Sequence, residues 1–155
     1  MKRTLFLLTA VVLIPILLSV LTSCGSKPPK VQLVEGRLRA CPDTPNCVSS
    51  ESTESSARIA PLNFQGPSEI AWKILKETVR ELGGTIQKEQ KDYLWATFTS
   101  RIFRFVDDVE FRMVAAKGVI HVRSASRLGY SDLGVNRKRV DKLRAAFDRK
   151  MKVRN

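Results

Sequence analysis

The chain has 155 residues and a net charge of +12, with 27 lysines and arginines against 15 aspartates and glutamates. This length supports one domain with a modest hydrophobic core and is too short for two. With one histidine and three cysteines, the sequence offers few ligands for a transition-metal site.

The first 24 residues have the layout of an export signal. Lys2 and Arg3 precede the apolar stretch 5–21, and two small residues separate that stretch from Cys24. A transmembrane helix is the alternative interpretation, because about 17 apolar residues are close to the shortest span of a bilayer. Leu-Thr-Ser-Cys at the end of the stretch resembles the bacterial lipobox. That resemblance implies a lipoprotein signal peptide over residues 1–23 and acylation of Cys24, with palmitate among the acyl chains.

An acylated Cys24 predicts firm attachment to a membrane, because each buried methylene contributes about 0.8 kcal/mol and several chains act together. Gly25 stands where retained inner-membrane lipoproteins usually carry aspartate. The resemblance therefore implies the outer membrane, facing the periplasm, if the source is Gram-negative. Cleavage removes Lys2 and Arg3 and lowers the net charge from +12 to +10.

Residues 24–40 are predicted to be the lipid anchor and a flexible tether. They contain Pro28-Pro29 and scattered basic residues, without apolar periodicity. Roughly sixteen flexible residues place the following domain on the order of 20 Å from the membrane. Residues 41–155 are predicted to form a single α+β domain.

Two cysteines, Cys41 and Cys47, enclose a short loop that contains two prolines. Export from the cytoplasm favours their oxidation to a disulfide, which stabilises the fold by about 2 kcal/mol in the loop-entropy model. A redox-active pair, a metal-binding pair and free thiols are the alternatives. A redox pair usually has two intervening residues, and the single histidine, His121, is far along the chain. The sequence therefore favours a structural disulfide that closes the N-terminal loop of the domain.

Hydrophobic periodicity predicts the elements of this domain. A helical pattern extends from Ser68, a candidate N-cap, to Gly83-Gly84, and a second helix is predicted over Asn136–Lys150. Between them, alternating apolar and polar residues predict four strands, at Thr85–Lys88, Tyr93–Ser100, Val109–Met113 and Val119–Ser124. We therefore expect an α+β two-layer sandwich, in which a four-stranded antiparallel sheet is flanked by an N-terminal and a C-terminal helix on one face.

Three separated blocks resemble those of a known family. They are Pro42–Ser50, Phe105–Phe111 and Ile120–Arg137. Their sequences and order resemble the uncharacterised family catalogued as domain of unknown function 1499, which occurs in bacteria and plastids. The resemblance covers nearly all of Cys41–Phe147. It implies no catalytic residue, because the family has no established reaction.

A polar cluster lies in the segment that joins the last predicted strand to the last helix. Its guanidinium groups, hydroxyls and helix N-terminal amides suit a phosphate, carboxylate or sulfate. A structural role is the alternative, in which glycines permit tight turns, a side chain caps the helix and an arginine pairs with Asp107 or Asp108. The candidate ligand-binding residues are Arg123, Ser124, Ser126, Arg127, Asp132, Asn136 and Arg137.

No catalytic residue, metal site or cofactor is predicted. Asp107, Asp108 and Glu110 place three carboxylates in four residues. On a strand, however, Asp107 points away from the other two, which favours salt bridges over metal binding. The serines have no nucleophile motif around them, and His121 is interpreted as an ordinary surface residue.

The C-terminal segment 137–154 carries nine basic and two acidic residues. A surface this basic beside a membrane favours contact with an anionic lipid, an acidic wall polymer or an envelope protein. Nucleic acid is not expected as a partner of an exported protein.

These features together predict an envelope lipoprotein, a non-enzymatic module that binds an anionic ligand or partner through the Arg123–Arg137 segment. Two alternatives remain open. One is an enzyme that acts on an anionic component of the cell envelope with Ser126 or His121, and the other is a structural accessory lipoprotein.

Overall fold

The computed structural model of the protein describes residues 31–100 and 104–154. The predicted signal peptide and Cys24 lie outside these ranges, so their assignment stays a prediction. Within the ranges, no helix combines the length and the apolar character that crossing a bilayer demands.

Two α-helices and six β-strands make up the described part of the chain. The helices are α1 (Ser68–Glu81) and α2 (Val135–Arg154), and a short 3-10 turn occupies Ala115–Lys117. The strands are β1 (Cys47–Ser49), β2 (Leu62–Asn63), β3 (Thr85–Gln90), β4 (Tyr93–Thr99), β5 (Val106–Val114) and β6 (Val119–Ser126).

All six strands belong to one antiparallel sheet in the order β1-β6-β5-β4-β3, and β2 also pairs with β6. The predicted sandwich, with a four-stranded sheet flanked by an N-terminal and a C-terminal helix, is therefore wrong. β1 and β2 precede the first helix, and both extend the sheet along the free edge of β6. They have three and two residues, so neither is long enough to display the alternation by which strands are predicted.

The first helix begins after Pro67, whose backbone is extended, and ends before the glycine pair 83–84. Ser68, the predicted N-cap, is instead the first helical residue, and Pro67, which occupies the N-cap position, makes no side-chain capping bond. Gly83 has a φ of +85°, a left-handed conformation that glycine adopts at low cost. Gly84 is required for close packing, because a Cβ there would lie 2.6 Å from the ring of Phe98.

The hydrophobic core lies between the two helices and one face of the sheet. Because side chains alternate along a strand, β4, β5 and β6 each present every second residue to this face. The helices cover it with residues at intervals of three and four. Its fully buried members include Ile74, Leu75 and Val79 of α1, Leu94 and Ala96 of β4, Val109 and Phe111 of β5, Ile120 and Val122 of β6, and Val140, Leu143 and Phe147 of α2.

The opposite face of the sheet carries polar and charged side chains, and we call it the polar face. The N-terminal segment 37–42, which we call the arm, packs over it. Leu38 of the arm, within the segment interpreted as a tether, is only 5 % exposed, and its amide donates to Glu51. The polar face and the arm together form the candidate site.

Candidate functional site

Three carboxylates are buried on the polar face, and each has an arginine partner. Asp108 and Glu110 are alternate residues of β5, which places both on this face and the intervening Val109 in the core. Glu51 enters from the loop after β1, and its side chain is 4 % exposed. Burying an unpaired carboxylate costs free energy of folding. Each of these three carboxylates therefore needs its arginine partner.

Glu110 is fully buried and lies at the centre of the polar face. The Tyr93 hydroxyl donates to its Oε1 at 2.8 Å, and Arg123 donates to its Oε2 at 3.0 Å. Burial raises the pKa of Tyr93, and the charge of Glu110 raises it further. Burial also lowers the pKa of Arg123, although Glu110 acts in the opposite direction. The Nε of Arg123 is buried without a hydrogen-bond partner in the described part of the chain.

Asp108 is 2 % exposed and receives a two-pronged arginine contact. Nε and a terminal nitrogen of Arg127 each donate to a different Asp108 oxygen at 2.9 Å, and the Trp95 indole donates at 2.8 Å. The hydrogen bond to Asp108 raises the pKa of Arg127. This geometry fixes the Arg127 guanidinium at the end of β6, where the strand meets the following loop.

A cavity of about 470 Å³ lies between these groups and the arm. Arg39, Arg123 and Arg127 line it together with Asp108, so its wall carries three guanidinium groups and one carboxylate. Arg39 forms no ion pair with any residue in the ranges 31–100 and 104–154. The other residues that line the cavity are Ala40, Cys41, Pro42, Asn46, Ala125 and Ser126. A positively charged cavity with partly apolar walls can bind a small anion.

Glu51 holds the arm in place. Its Oε2 accepts from the Leu38 amide at 2.6 Å, and its Oε1 accepts from Arg112. Burial alone raises the pKa of Glu51, but the hydrogen bonds from Arg112 and Leu38 and the nearby positive charges bring the pKa below its ordinary value. A disulfide between Cys41 and Cys47 fastens the other end of the arm to β1. Both attachments keep Arg39 beside the cavity.

His121 lies at the opposite end of β6 from the cavity. Its Nδ1 is 3.1 Å from the Ser50 hydroxyl, and its Nε2 is 3.9 Å from Glu51. Burial lowers the pKa of His121, and the Glu51 charge partly offsets this effect. Ser126 is five residues farther along the strand, roughly 17 Å away at the rise of a β-strand. His121 and Ser126 therefore cannot act on one substrate together.

The structure divides the predicted Arg123–Arg137 site between the two faces of the sheet. Arg123 and Arg127 are on the polar face, whereas Ser124 points to the helix side with Asp107. Ser124 and Asn136 are buried there, and Asn136 donates to the Asn46 carbonyl and the Ser126 hydroxyl at 3.0 Å each. Arg139, which the sequence did not single out, pairs with Asp107.

The remaining two predicted residues hold backbone in place. Asp132 accepts from the amides of Gly134 at 2.9 Å and Asn136 at 2.7 Å, so it caps α2. Arg137 donates to the carbonyls of Ser56 and Arg58 at 2.7 and 2.9 Å. Of the seven predicted residues, Arg123, Ser126 and Arg127 line the cavity.

Sequence reasoning missed Arg39, Glu51, Tyr93 and Trp95. The two aromatic residues carried a usable signal, because they alternate with the core residues of β4 and face β5 across the sheet. Arg39 and Glu51 carried none, since each lies in an irregular segment whose position depends on contacts far along the chain. In the described ranges, no three His, Cys, Asp or Glu side chains come together as a metal site would require.

Among known proteins, the chain matches a family model but no individual protein. No curated protein and no solved structure matches the chain. A family model described as a protein of unknown function (DUF1499) matches residues 37–147, which include the arm, the whole sheet and most of α2. The chain therefore belongs to this family of unknown function.

Proposed function

We propose that this protein is a lipid-anchored protein of the cell envelope whose domain binds a small anion in the arginine-lined cavity. The observation that carries this proposal is the charge of the wall. Three arginines and one aspartate line the cavity, and one of the arginines, Arg39, has no carboxylate partner among the described residues. A carboxylate or phosphate group would supply the missing negative charge.

The free donors are also suited to an anion. Arg127 uses Nε and one terminal nitrogen on Asp108, and Arg123 uses one terminal nitrogen on Glu110, so each retains a further terminal nitrogen. Their positions are set by buried ion pairs before any ligand arrives, and such preorganisation lowers the entropic cost of binding. The volume of about 470 Å³ fits a small molecule or the charged end of a larger polymer.

A binding role is favoured over turnover. Ser126 is the one hydroxyl side chain among the residues that line the cavity, and it accepts a hydrogen bond from Asn136. His121, the one histidine of the chain, lies at the other end of the strand, too far away to activate it. The lipoprotein signal predicted at residues 1–23 supports attachment through Cys24 and the envelope location, where anionic wall polymers and metabolites are the available ligands and nucleic acid is not.

The test is a thermal unfolding series with inorganic phosphate and with citrate, against sodium chloride at equal ionic strength. At least one of the two anions should raise the melting temperature of the wild-type domain above the chloride control. Arg39→Ala should abolish this increase and leave the melting temperature in chloride unchanged, because Arg39 forms no ion pair with any described residue.

Arg80→Ala is the matched control, since Arg80 is an exposed arginine on α1, away from the cavity. It should keep the full response to the anion. If neither anion stabilises the wild type, or if Arg39→Ala and Arg80→Ala respond alike, the proposal fails.

A further inference from the structure

The loop between β6 and α2 exposes a group of large apolar side chains. We call residues 128–135 the tip loop. Leu133 is 88 % exposed and Tyr130 is 72 % exposed, while Leu128 and Val135 are each about half exposed. Leu133 also has a φ of +52°, a conformation that is strained for a leucine. Exposed apolar residues concentrated in eight positions indicate a surface that contacts something other than water.

A cleft lined by three apolar and three basic residues adjoins the tip loop. It has a volume of about 370 Å³ and lies between the ends of α1 and β4 and the start of α2. Its apolar lining residues are Leu82, Phe98 and Val135. Its basic lining residues are Lys138, Arg139 and Lys142, and no acidic residue lines it.

The two lysines that line the cleft are available to a binding partner. Lys138 and Lys142 are exposed and one helical turn apart, and neither pairs with a carboxylate in the described ranges. Arg139, in contrast, is committed to Asp107 and to the ring of Phe98.

We propose that the tip loop and this cleft form a contact surface for an anionic lipid bilayer. Leu133 and Val135 enter the headgroup region, and Lys138 and Lys142 bind the lipid phosphates. Val135 lines the same cleft as the two lysines and lies two residues after Leu133, so apolar and positive groups meet at this surface.

The segment between the predicted anchor and the arm is long enough for the tip loop to face the membrane. Residues 24–33 precede a tight turn that Val34 and Arg37 close with two backbone hydrogen bonds, and these ten residues reach at most about 35 Å when extended. The eight residues of β6 are about 27 Å long. The chain can therefore extend from the arm past either end of the sheet, and the tip loop decides which end faces the membrane.

The test uses the mature chain with Cys24→Ser, which cannot be acylated, and measures sedimentation with vesicles. The protein should bind vesicles of phosphatidylglycerol and phosphatidylcholine in equal parts and should not bind phosphatidylcholine alone. The double variant Lys138→Glu/Lys142→Glu should lower the partition coefficient by about 25-fold or more, because each lysine near an anionic surface contributes roughly fivefold. Leu133→Ser should lower it by about tenfold, through loss of apolar burial.

Lys117→Glu/Lys152→Glu is the matched control, because it makes the same change in net charge at the opposite end of the molecule. Both lysines are exposed and line a different cleft beside the turn between β5 and β6. This variant should bind within about twofold of the parent. Equal losses in the two double variants, full binding by Leu133→Ser, or no binding of the parent to anionic vesicles would each overturn the proposal.

Circular dichroism of each variant separates loss of binding from loss of folding. A second measurement uses Leu133→Trp, whose fluorescence should shift to shorter wavelength on anionic vesicles as the indole leaves water. No shift would contradict insertion of the tip loop. Neither measurement involves the arginine-lined cavity, so failure of one proposal leaves the other standing.

Discussion

The ion pair between Arg123 and Glu110 offers the sharpest test of how the polar face is held together. Arg123→Met keeps much of the apolar stem of the side chain and removes its charge. Glu110 then remains fully buried, with the Tyr93 hydroxyl still donating to one of its oxygens. The variant therefore isolates the effect of the guanidinium charge on a buried carboxylate.

The expected magnitude follows from the distance and the burial. Two unit charges 3.0 Å apart attract each other by about 5 kcal/mol at an effective dielectric constant of about 20. Much of this attraction only offsets the cost of removing both groups from water. Removing one partner leaves the other charge buried without compensation, which typically costs about 3–5 kcal/mol. We expect Arg123→Met to lower the free energy of unfolding by that amount.

The double variant Glu110→Gln/Arg123→Met should recover most of the loss. It leaves no charge buried at this position, and the glutamine oxygen can still accept from the Tyr93 hydroxyl. We expect its free energy of unfolding to lie within about 2 kcal/mol of the wild type. Urea unfolding at neutral pH, followed by circular dichroism, measures the wild type, both single variants and the double variant.

Arg80→Met serves as the control, because Arg80 is exposed, and it should change the free energy of unfolding by less than about 0.5 kcal/mol. The reasoning is refuted if the two single variants each cost less than about 1 kcal/mol and their effects add in the double variant. That result would mean that the two charges are solvated and do not depend on each other.

The double variant Cys41→Ala/Cys47→Ala should lower the free energy of unfolding by about 2 kcal/mol in urea under oxidising conditions, because the closed loop no longer restricts the unfolded chain. An unchanged free energy of unfolding would show that the disulfide does not stabilise the fold. Burial lowers the pKa of His121 below the ordinary value of 6.5, with partial compensation by Glu51, so the unfolded chain takes up the proton first. The free energy of unfolding should therefore fall as the pH drops below about 6.5, and His121→Gln should flatten this dependence. The same slope in the variant and the wild type would contradict the prediction.

Local periodicity was sufficient for the longer elements. The helix predicted from Ser68 to the glycine pair and the four predicted strands lie where α1 and β3 to β6 are found, with ends shifted by a few residues. The family was also recognisable from three blocks of sequence, and the match over residues 37–147 confirms it. These inferences depend on neighbouring residues, which the sequence displays directly.

The two short strands could not be found in this way. β1 and β2 exist because their backbones pair with β6, whose residues are about 60 to 80 positions farther along the chain. A strand of two or three residues has no period of its own. The four-stranded prediction was wrong because backbone pairing with β6, and not a pattern of apolar residues, creates β1 and β2.

The candidate site was only partly predictable for a related reason. A contiguous segment was expected to form one site, but successive residues of a strand point to opposite faces, so Arg123 and Ser124 are separated by the sheet. Arg39 lines the cavity together with Arg123, although the two residues are 84 positions apart in the sequence.

The sequence by itself determined the longer helices and strands, the family and the separation of Asp107 from Asp108, because each of these depends on local geometry. Only the tertiary structure decided which charges are buried and which of the described charges are paired. Burial and pairing depend on segments that are distant in the chain and meet only after folding. The absence of a carboxylate partner for Arg39 among the described residues and the exposure of the tip loop are therefore visible only in the folded structure.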